Sequence, residues 1–275
     1  MPARNAAHTI VEAIGSVLRQ TFTDFELIIS DDASDDDTSA VVASQDDPRI
    51  RFVSHTTHDY IANLNAAIAR AQGLYVARMD ADDVMAPTRL QKQVDFLSIH
   101  PNTDVVGSWL TAFGERSYVC RTLATHEELV STMLVYNPLC HPTVMLRQEC
   151  VKAMTAKQGG LYNPQFAYAE DYKLWCDLAT IGFKFANLQE SLLDYRTSTT
   201  QVTRIRREAM RQSTLRIRRE YFCHVREILT TGHPDYSAVI ENLIRLYNAG
   251  RLQLAALLET TRLVYHQFLT HTRHI

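Results

Sequence analysis

Three aspartates stand within four positions in RMDADDVMAP, Arg78 to Pro87, directly after the apolar run LYVA. Carboxylates this close repel one another, so either solvent screens them in a turn or a cation neutralises them. In an extended segment side chains alternate, so Asp80 and Asp82 point one way and Asp83 the other. A turn beginning there lets them converge. Hard divalent ions such as Mg²⁺ or Mn²⁺ are held by one or two carboxylates, with phosphate oxygens and water completing the shell. Such a site is half built until a diphosphate arrives. A second cluster, DDASDDDT from Asp31 to Thr38, follows FELIIS. It is no EF-hand, lacking glycine at the sixth position and glutamate at the twelfth. Spacing alone leaves a cation site and a solvated turn capping the next helix both open.

The elements that must carry these acids alternate. Apolar spacing predicts a helix over Thr9–Gln20, a strand over Phe25–Ser30 and a short helix over Ser39–Ser44. A strand over Ile50–Ser54 and a helix over Ile61–Ala71 follow, the helix closed by Gly73. LYVARMD is the next strand, Pro87 opens the helix TRLQKQVDFL, and TDVVGSWLTAFG is a further strand region. This order predicts an α/β fold, a mostly parallel sheet with helices on both faces. Both acidic clusters fall at strand carboxyl ends, where open sheets of this kind bind ligands. From residue 204 the chain reads as helices alone, so a domain over 1–203 and a helical C-terminal extension over 204–275 are expected. There, Arg204, Arg207, Arg211 and Arg218 share one helical face, with Ile205, Ala209, Met210 and Ile217 broadly opposite. A basic amphipathic helix of this kind rests on an anionic membrane or packs on the domain with its other side.

The chain has 275 residues and a formal net charge of −3, so nucleic acid is not an expected partner. No apolar run approaches the roughly 20 residues that span a bilayer, and MPARNAAHTIVEAIGS lacks the layout of a signal peptide. Five cysteines, an odd number without C-x-x-C spacing, predict reduced thiols and a cytoplasmic setting rather than a disulfide framework or zinc site. Trp109 and Trp175 lie in apolar contexts and read as core or pocket wall.

MPARNA, VLRQTFTDFELIISDDASDDDT and GLYVARMDADD resemble, in order, the family 2 glycosyltransferases of the GT-A fold. The likeness continues through RLQKQVDFLSIHPNTDVVGSW, NPLCHPTVML and AEDYKLWCDL and covers roughly residues 1 to 203. It implies an inverting, metal-dependent transfer of sugar from a nucleotide-diphosphate donor, UDP first, to a glycan or lipid-linked saccharide of the cell envelope. The resemblance gives Asp32 the nucleotide base, with Pro2 and Arg4 lining its pocket and Asp31 supporting the loop. Asp83 becomes the direct ligand of Mn²⁺ or Mg²⁺, Asp82 meets the ribose or metal-bound water, and Asp80 orients them or touches the nucleotide. Asp171 becomes the base that deprotonates the acceptor hydroxyl, with Glu170 beside it, roughly ninety residues after the metal acids. His141 falls on the acceptor side, and Arg196 and Arg204 are placed to meet phosphate.

Three positions and the start of the sequence depart from the family pattern. Arg4 replaces an aromatic, Tyr60 a glycine, and Ser198 a histidine that ligates metal or contacts the diphosphate in many relatives. Relatives also carry an apolar strand ahead of the Met-Pro pair, whereas this sequence begins there. Most of that strand is therefore expected to be missing from a central place in the sheet, leaving unpaired backbone groups and an apolar slot. Two rival readings follow: a non-catalytic or truncated relative that binds nucleotide-sugar or glycan, and a sugar-phosphate nucleotidyltransferase. MPARNAAHT has no glycine for the phosphate loop of the second. Contact with the membrane, where it occurs, is expected to be peripheral and at the inner face.

Overall fold

The computed structural model describes residues 1–198 and 206–272. Strands β1 (Pro2–Ala3), β2 (Leu27–Asp31) and β3 (Ile50–Ser54) form a parallel sheet in that order. Helices α1 (Ile10–Leu18) and α2 (Thr38–Ala43) make its crossovers. Ile10, Ala13, Ile14 and Val17 supply the buried stripe of α1 at helical spacing. After α3 (Tyr60–Ile68) comes a second sheet: β4 (Tyr75–Ala77), β5 (Val84–Met85), β6 (Val105–Gly114), β7 (Tyr118–Cys120), β8 (Met145–Arg147) and β9 (Phe185–Thr197). Its order is β4-β8-β6-β9-β5, with β7 also on β6. Helices α4 (Arg89–Ile99), α5 (His126–Thr132), α6 (Gln148–Gln158) and α7 (Glu170–Thr180) lie between these strands in sequence. The chain closes with α8 (Arg207–Thr230), α9 (Pro234–Asn248) and α10 (Leu254–Thr272).

The alternation is that expected, but strand directions are more mixed. The first sheet and the β6–β9 pair are parallel, whereas β4–β8, β6–β8, β6–β7 and β5–β9 are antiparallel. Connection length explains the β6–β7 reversal, because residues 115–117 are too few for a helical crossover. Two other expectations are corrected. Helix α3 ends at Ile68 with Ala69 as its cap, and Gly73 lies beyond it without the left-handed backbone of a capping glycine. Among the described residues strand β1 pairs with β2 only, and it stands at the edge of its three-stranded sheet, not at a centre. The chain start is nonetheless tied down: the Met1 amine donates to Ile28 O at 2.9 Å, and Asp32 N to Ala3 O at 2.8 Å. Beside Ile28 and Val53 lies a cavity of about 380 Å³, bordered by Arg51, Arg70 and Gln72.

Parallel β6 and β9 form the spine of the second sheet. They meet closely at the Gly107–Asn187 partners, where a Cβ on Gly107 would come 2.1 Å from Asn187 Oδ1. Their register runs to Phe113–Arg196 and Gly114–Thr197, which delivers Arg196 to the acidic loop after β4. One apolar core, with Ile14, Ile29, Met79, Met85 and Val106, holds the first sheet against that loop. The other joins Leu64, Leu134, Trp175 and Phe185 to Ile217, Tyr221, Val225, Ile240 and Phe268 from the last three helices.

The C-terminal helices therefore share a core with α3, α5 and α7, and Tyr221 donates to Val130 O at 3.0 Å. The expected domain boundary at 203/204 lies outside the described residues, as do Arg204 and Ile205. The face expected to be basic along α8 is corrected, because Val225, seven residues after Arg218, lies fully buried on the same face. Ile217, Tyr221, Val225 and Leu229 are the buried stripe, whereas Ala209 is exposed. Arg211 pairs with Glu208 and Arg216 with Glu220, so these two arginines have counter-charges on the same helix. Placing a carboxylate in this shared core by Val225→Asp should lower the stability of the whole chain by about 3 kcal/mol or more. Urea unfolding followed by tryptophan fluorescence measures this; an unchanged midpoint would show that α8 is not part of the main core.

Candidate active site

The acidic loop owes its shape to alternation. Met79 and Ala81 are buried in the first core, so Asp80 and Asp82 turn the other way and stay half-buried. A turn follows, and Asp83 is fully buried. Ligand oxygens of Asp80, Asp82 and Asp83 all lie within 4.8 Å of one another, so the convergence expected of a turn is present. Asp83 Oδ1 accepts the Arg196 backbone N–H at 3.0 Å, whereas Oδ2 is buried with no partner among the described residues. Burial pushes the Asp83 carboxyl up to about 8, with Asp80 and Asp82 adding repulsion. Burial, then Asp80, lifts Asp82 to about 6. Without a cation, Asp83 thus keeps its proton at neutral pH.

Arg196 sits against this loop in a different way from that expected. Its Nε donates to Asp82 O at 2.9 Å, Nη2 meets Glu12 at 2.6 Å, and the guanidinium stacks 4.5 Å over Phe113. These contacts brace the loop.

The first sheet places Asp32 just past the carboxyl end of β2. Its Oδ1 accepts the Asp59 N–H at 2.9 Å and the Asn63 amide, while Oδ2 meets His58 Nδ1 at 2.5 Å. Asp32 is buried, and the exposed His58 ring covers one oxygen. Asp31 is bound by the hydroxyls of Ser34 and Ser39, the latter at 2.7 Å, which fixes the loop. Pro2 pairs with Ser30 in β1–β2. Arg4 donates to the carbonyls of Asp32 and Ala33, the second at 3.0 Å, and so grips the loop from beneath rather than standing free.

Glu170 and Asp171 occupy the first turn of α7, where N–H groups and the helix dipole favour negative charge. Asn137 Nδ2 donates to Asp171 Oδ2 at 2.7 Å, whereas Glu170 Oε2 is buried with no partner among the described residues. Burial raises both carboxyls, Glu170 to about 7 with Asp171 adding repulsion, while the Tyr172 N–H and Asn137 hold Asp171 back. The Asn137 and Tyr172 hydrogen bonds thus favour the charged form of Asp171, and Glu170 Oε2 has no such donor among the described residues. His141 is buried behind them, its Nε2 hydrogen-bonded to Tyr162 Oη at 2.7 Å and its ring edge-on to Trp175. Burial, aided by Arg78, holds His141 neutral. Trp175 is fully buried core, while Trp109 is partly buried and donates to Thr122 O at 3.1 Å. All five cysteines are free, with the Cys120 and Cys140 sulfurs 3.6 Å apart.

Two arginines escaped the sequence reading. Arg78 Nη1 donates to Asp80 Oδ2 at 2.6 Å and Nη2 to Tyr60 Oη at 3.2 Å. Arg89, fully buried in α4, donates to Arg78 O at 2.8 Å and Val144 O at 3.3 Å. Asn63, His58 and Asn137 were missed as well. Their one signal is polar residue type within otherwise apolar or loop segments, which does not distinguish them from surface residues. Ser198 is described just past β9, and Tyr60 opens α3.

The donor set fits a hard divalent cation. Three carboxylates converge, one with an orphaned buried oxygen, and no sulfur or imidazole is among them.

The sequence model of glycosyl transferase family 2 matches residues 1–146. A putative glycosyltransferase, EpsE of Bacillus subtilis, is 33% identical across 70% of this chain and 69% of its own. An Escherichia coli protein named UDP-Glc:alpha-D-GlcNAc-diphosphoundecaprenol beta-1,3-glucosyltransferase WfgD is 29% identical across 65% of this chain and 67% of its own. Among solved structures, S. aureus TarS 1–349 in complex with UDP-GlcNAc superposes with a TM-score of 0.64 at 15% identity, over 98% of this chain and 90% of that one. That likeness bears out the α/β GT-A fold with its helical C-terminal region.

Asp83 makes a pH-dependent contribution to stability whose sign is fixed. Its folded pKa of about 8 lies above the ordinary carboxyl value of 3.8, so the folded chain holds a proton that the unfolded chain releases. The stability from this group is complete below the unfolded value and is lost as pH rises through about 8. In the presence of a chelator, wild type should therefore weaken relative to Asp83→Asn as pH climbs through that window. Paired thermal melts across pH measure the difference; a flat profile would mean that Asp83 is not buried and crowded as described.

Proposed function

The chain belongs to glycosyl transferase family 2, and from that premise we propose that it moves a hexose from a nucleotide-diphosphate donor to a hydroxyl of a glycan or lipid-linked saccharide, with inversion. One observation carries the reading. Three carboxylates converge at the end of β4, with Asp83 Oδ2 buried and unpaired, and the Asp80 charge is felt by Glu170 of a second acidic pair on α7. An inverting transfer needs two such sites, one for the leaving diphosphate and one for the acceptor proton.

On this reading Asp82 and Asp83, helped by Asp80, hold Mn²⁺ or Mg²⁺. The cation, when bound, neutralises the charge that grows on the departing diphosphate. Asp32 accepts an N–H of the base once His58 gives way, with Pro2 and Arg4 supporting the pocket floor. Uracil suits a carboxylate acceptor through its imide N–H, and the UDP-GlcNAc complex of TarS supports UDP as the nucleotide. Asp171, oriented by Asn137, takes the acceptor's proton, with Glu170 beside it. His141, neutral and buried, steadies the wall behind the pair through Tyr162. Arg196 acts on the metal site through the loop, by its backbone N–H on Asp83.

The WfgD name supports a lipid-linked acceptor. No helix among the described residues is long and apolar enough to cross a membrane. A cytoplasmic setting with peripheral access to the membrane surface suits free thiols and a nucleotide-sugar donor.

Mn²⁺ and UDP together should raise the melting temperature well beyond the sum of their separate effects, because each completes the other's site. Additive shifts in a thermal titration would sink the metal–diphosphate reading. Asp171→Asn should keep UDP affinity while transfer from a UDP-sugar falls by roughly 10²- to 10⁴-fold. Parallel calorimetry and turnover assays separate the two, and equal loss of both would remove Asp171 from the role of base.

A further inference from the structure

Buried polar atoms without partners show what a site is waiting for, because each is costly unless a ligand completes it. Three lie in connected parts of this molecule. Asp83 Oδ2 and Glu170 Oε2 are acceptors, and Arg78 Nε–H is a donor. The two acceptors belong to the metal loop and the catalytic pair described above. Arg78 is explained by neither.

Its position is unusual for a cation. The side chain is only 10% exposed, Nη1 grips Asp80, and Nη2 reaches Tyr60 on the opposite element, α3. Its charge is felt by Asp82 and Asp83 on one side and by Glu170 and Asp171 on the other. Arg89 secures the strand end beneath it, through Arg78 O and Val144 O. A fixed positive charge bonded to a member of the metal triad opposes a second cation there. The same charge attracts the oxyanions that would complete that cation's shell, and its unused N–H is a ready donor to one of them.

We propose that Arg78 is a positioning residue that makes metal and nucleotide binding interdependent: it holds Asp80 and weakens uptake of the divalent ion alone, then donates to a diphosphate oxygen when metal and nucleotide arrive together. The proposal rests on the glycosyltransferase reading above and adds the order of loading to it. Tyr60 keeps the guanidinium in place from α3, so the residue that departs from the family's glycine serves this arrangement.

The test uses the full chain, Mn²⁺ and UDP, and two variants. Arg78→Met removes the charge at similar bulk, and Arg78→Lys keeps the charge but loses the fork. Mn²⁺ alone, followed by the loss of its free-ion paramagnetic resonance signal, should bind Arg78→Met at least roughly tenfold more tightly than wild type. UDP at saturating Mn²⁺, followed by calorimetry, should bind that variant roughly tenfold more weakly. Arg78→Lys should stay near wild type for Mn²⁺ and lose part of the UDP affinity. General damage to the fold weakens both ligands, so opposite shifts are the signature. Should Arg78→Met unfold, Arg78→Lys carries the test through its split between the two ligands. Wild-type binding of Mn²⁺ and UDP with no opposite shift in Arg78→Met, or no split in Arg78→Lys, overturns the proposal alone. Failure of the wild-type chain to bind either ligand overturns the glycosyltransferase reading and this proposal with it.

Discussion

The Arg196 N–H bond to Asp83 Oδ1, 3.0 Å long, ties the acidic loop to the end of the longest strand pair in the molecule. Much of the structure serves to make that bond. The β6–β9 register passes closely at Gly107, shifts at irregularities between Ser108 and Trp109 and between Trp109 and Thr111, and then runs evenly from Thr111–Asp194 to Phe113–Arg196, where Arg196 stacks on Phe113. A shift of one residue would turn the Arg196 backbone away and leave Asp83 with neither oxygen satisfied. The loop's other side is fixed by Met79, Ala81 and Met85 in the core shared with the first sheet. Negative charge is thus concentrated at a point reached from three elements, and none of them can relax to spread it.

Concentrated charge needs a counterweight, and the protein supplies one only in part. Arg78 and Arg89 are both buried near the triad, yet Arg89 is turned to carbonyls of Arg78 and Val144 rather than to carboxylates. Burial lowers its pKa to about 9, which still leaves it charged at neutral pH; it steadies the scaffold because its bonds go to Gln93 and to those carbonyls. The Arg78 side chain bonds a triad carboxylate, that of Asp80, while the Arg196 side chain bonds the Asp82 carbonyl and Glu12. Three crowded carboxylates still repel one another. Burial raises Asp82, Asp83 and Glu170, and repulsion from neighbouring carboxylates adds to it. A divalent cation with a diphosphate would supply both the missing positive charge and acceptors for the remaining guanidinium donors.

The parts of this arrangement that could be read from the sequence are those that follow local rules. Alternation over Met79–Asp82 and the apolar spacing of Ile10, Ile14 and Val17 depend only on period, so the loop and its supporting helix were legible. The acidic clusters were visible as composition, and their order along the chain pointed to the family. What stayed hidden depends on pairing across distance. Nothing near Arg78 in sequence shows that it spans from Asp80 to Tyr60, and nothing near Arg196 shows that its backbone, not its guanidinium, meets Asp83. The basic face of α8 was misread for the same reason. Periodicity identifies a face but not what lies against it, and along this face arginines give way to the buried Val225.

The departures from the family pattern look different once their contacts are known. Ala33 adopts a left-handed backbone, with φ of 55°, which costs an L-residue roughly 1 kcal/mol or more. Arg4 donates to the carbonyls on either side of that strained bond and Asn5 accepts the N–H of Asp35 at 2.9 Å, so the loop after Asp32 is held shut from below. An aromatic ring at position 4 could stack on a base but could not make those bonds. Arg4 therefore adds rigidity to the loop that presents Asp32. Tyr60 follows the same logic: its hydroxyl accepts from Arg78 where glycine would offer nothing. Both replacements turn a polar group toward the backbone or a charge beside an acid of the site. They change how the site is braced while leaving the acids themselves in place.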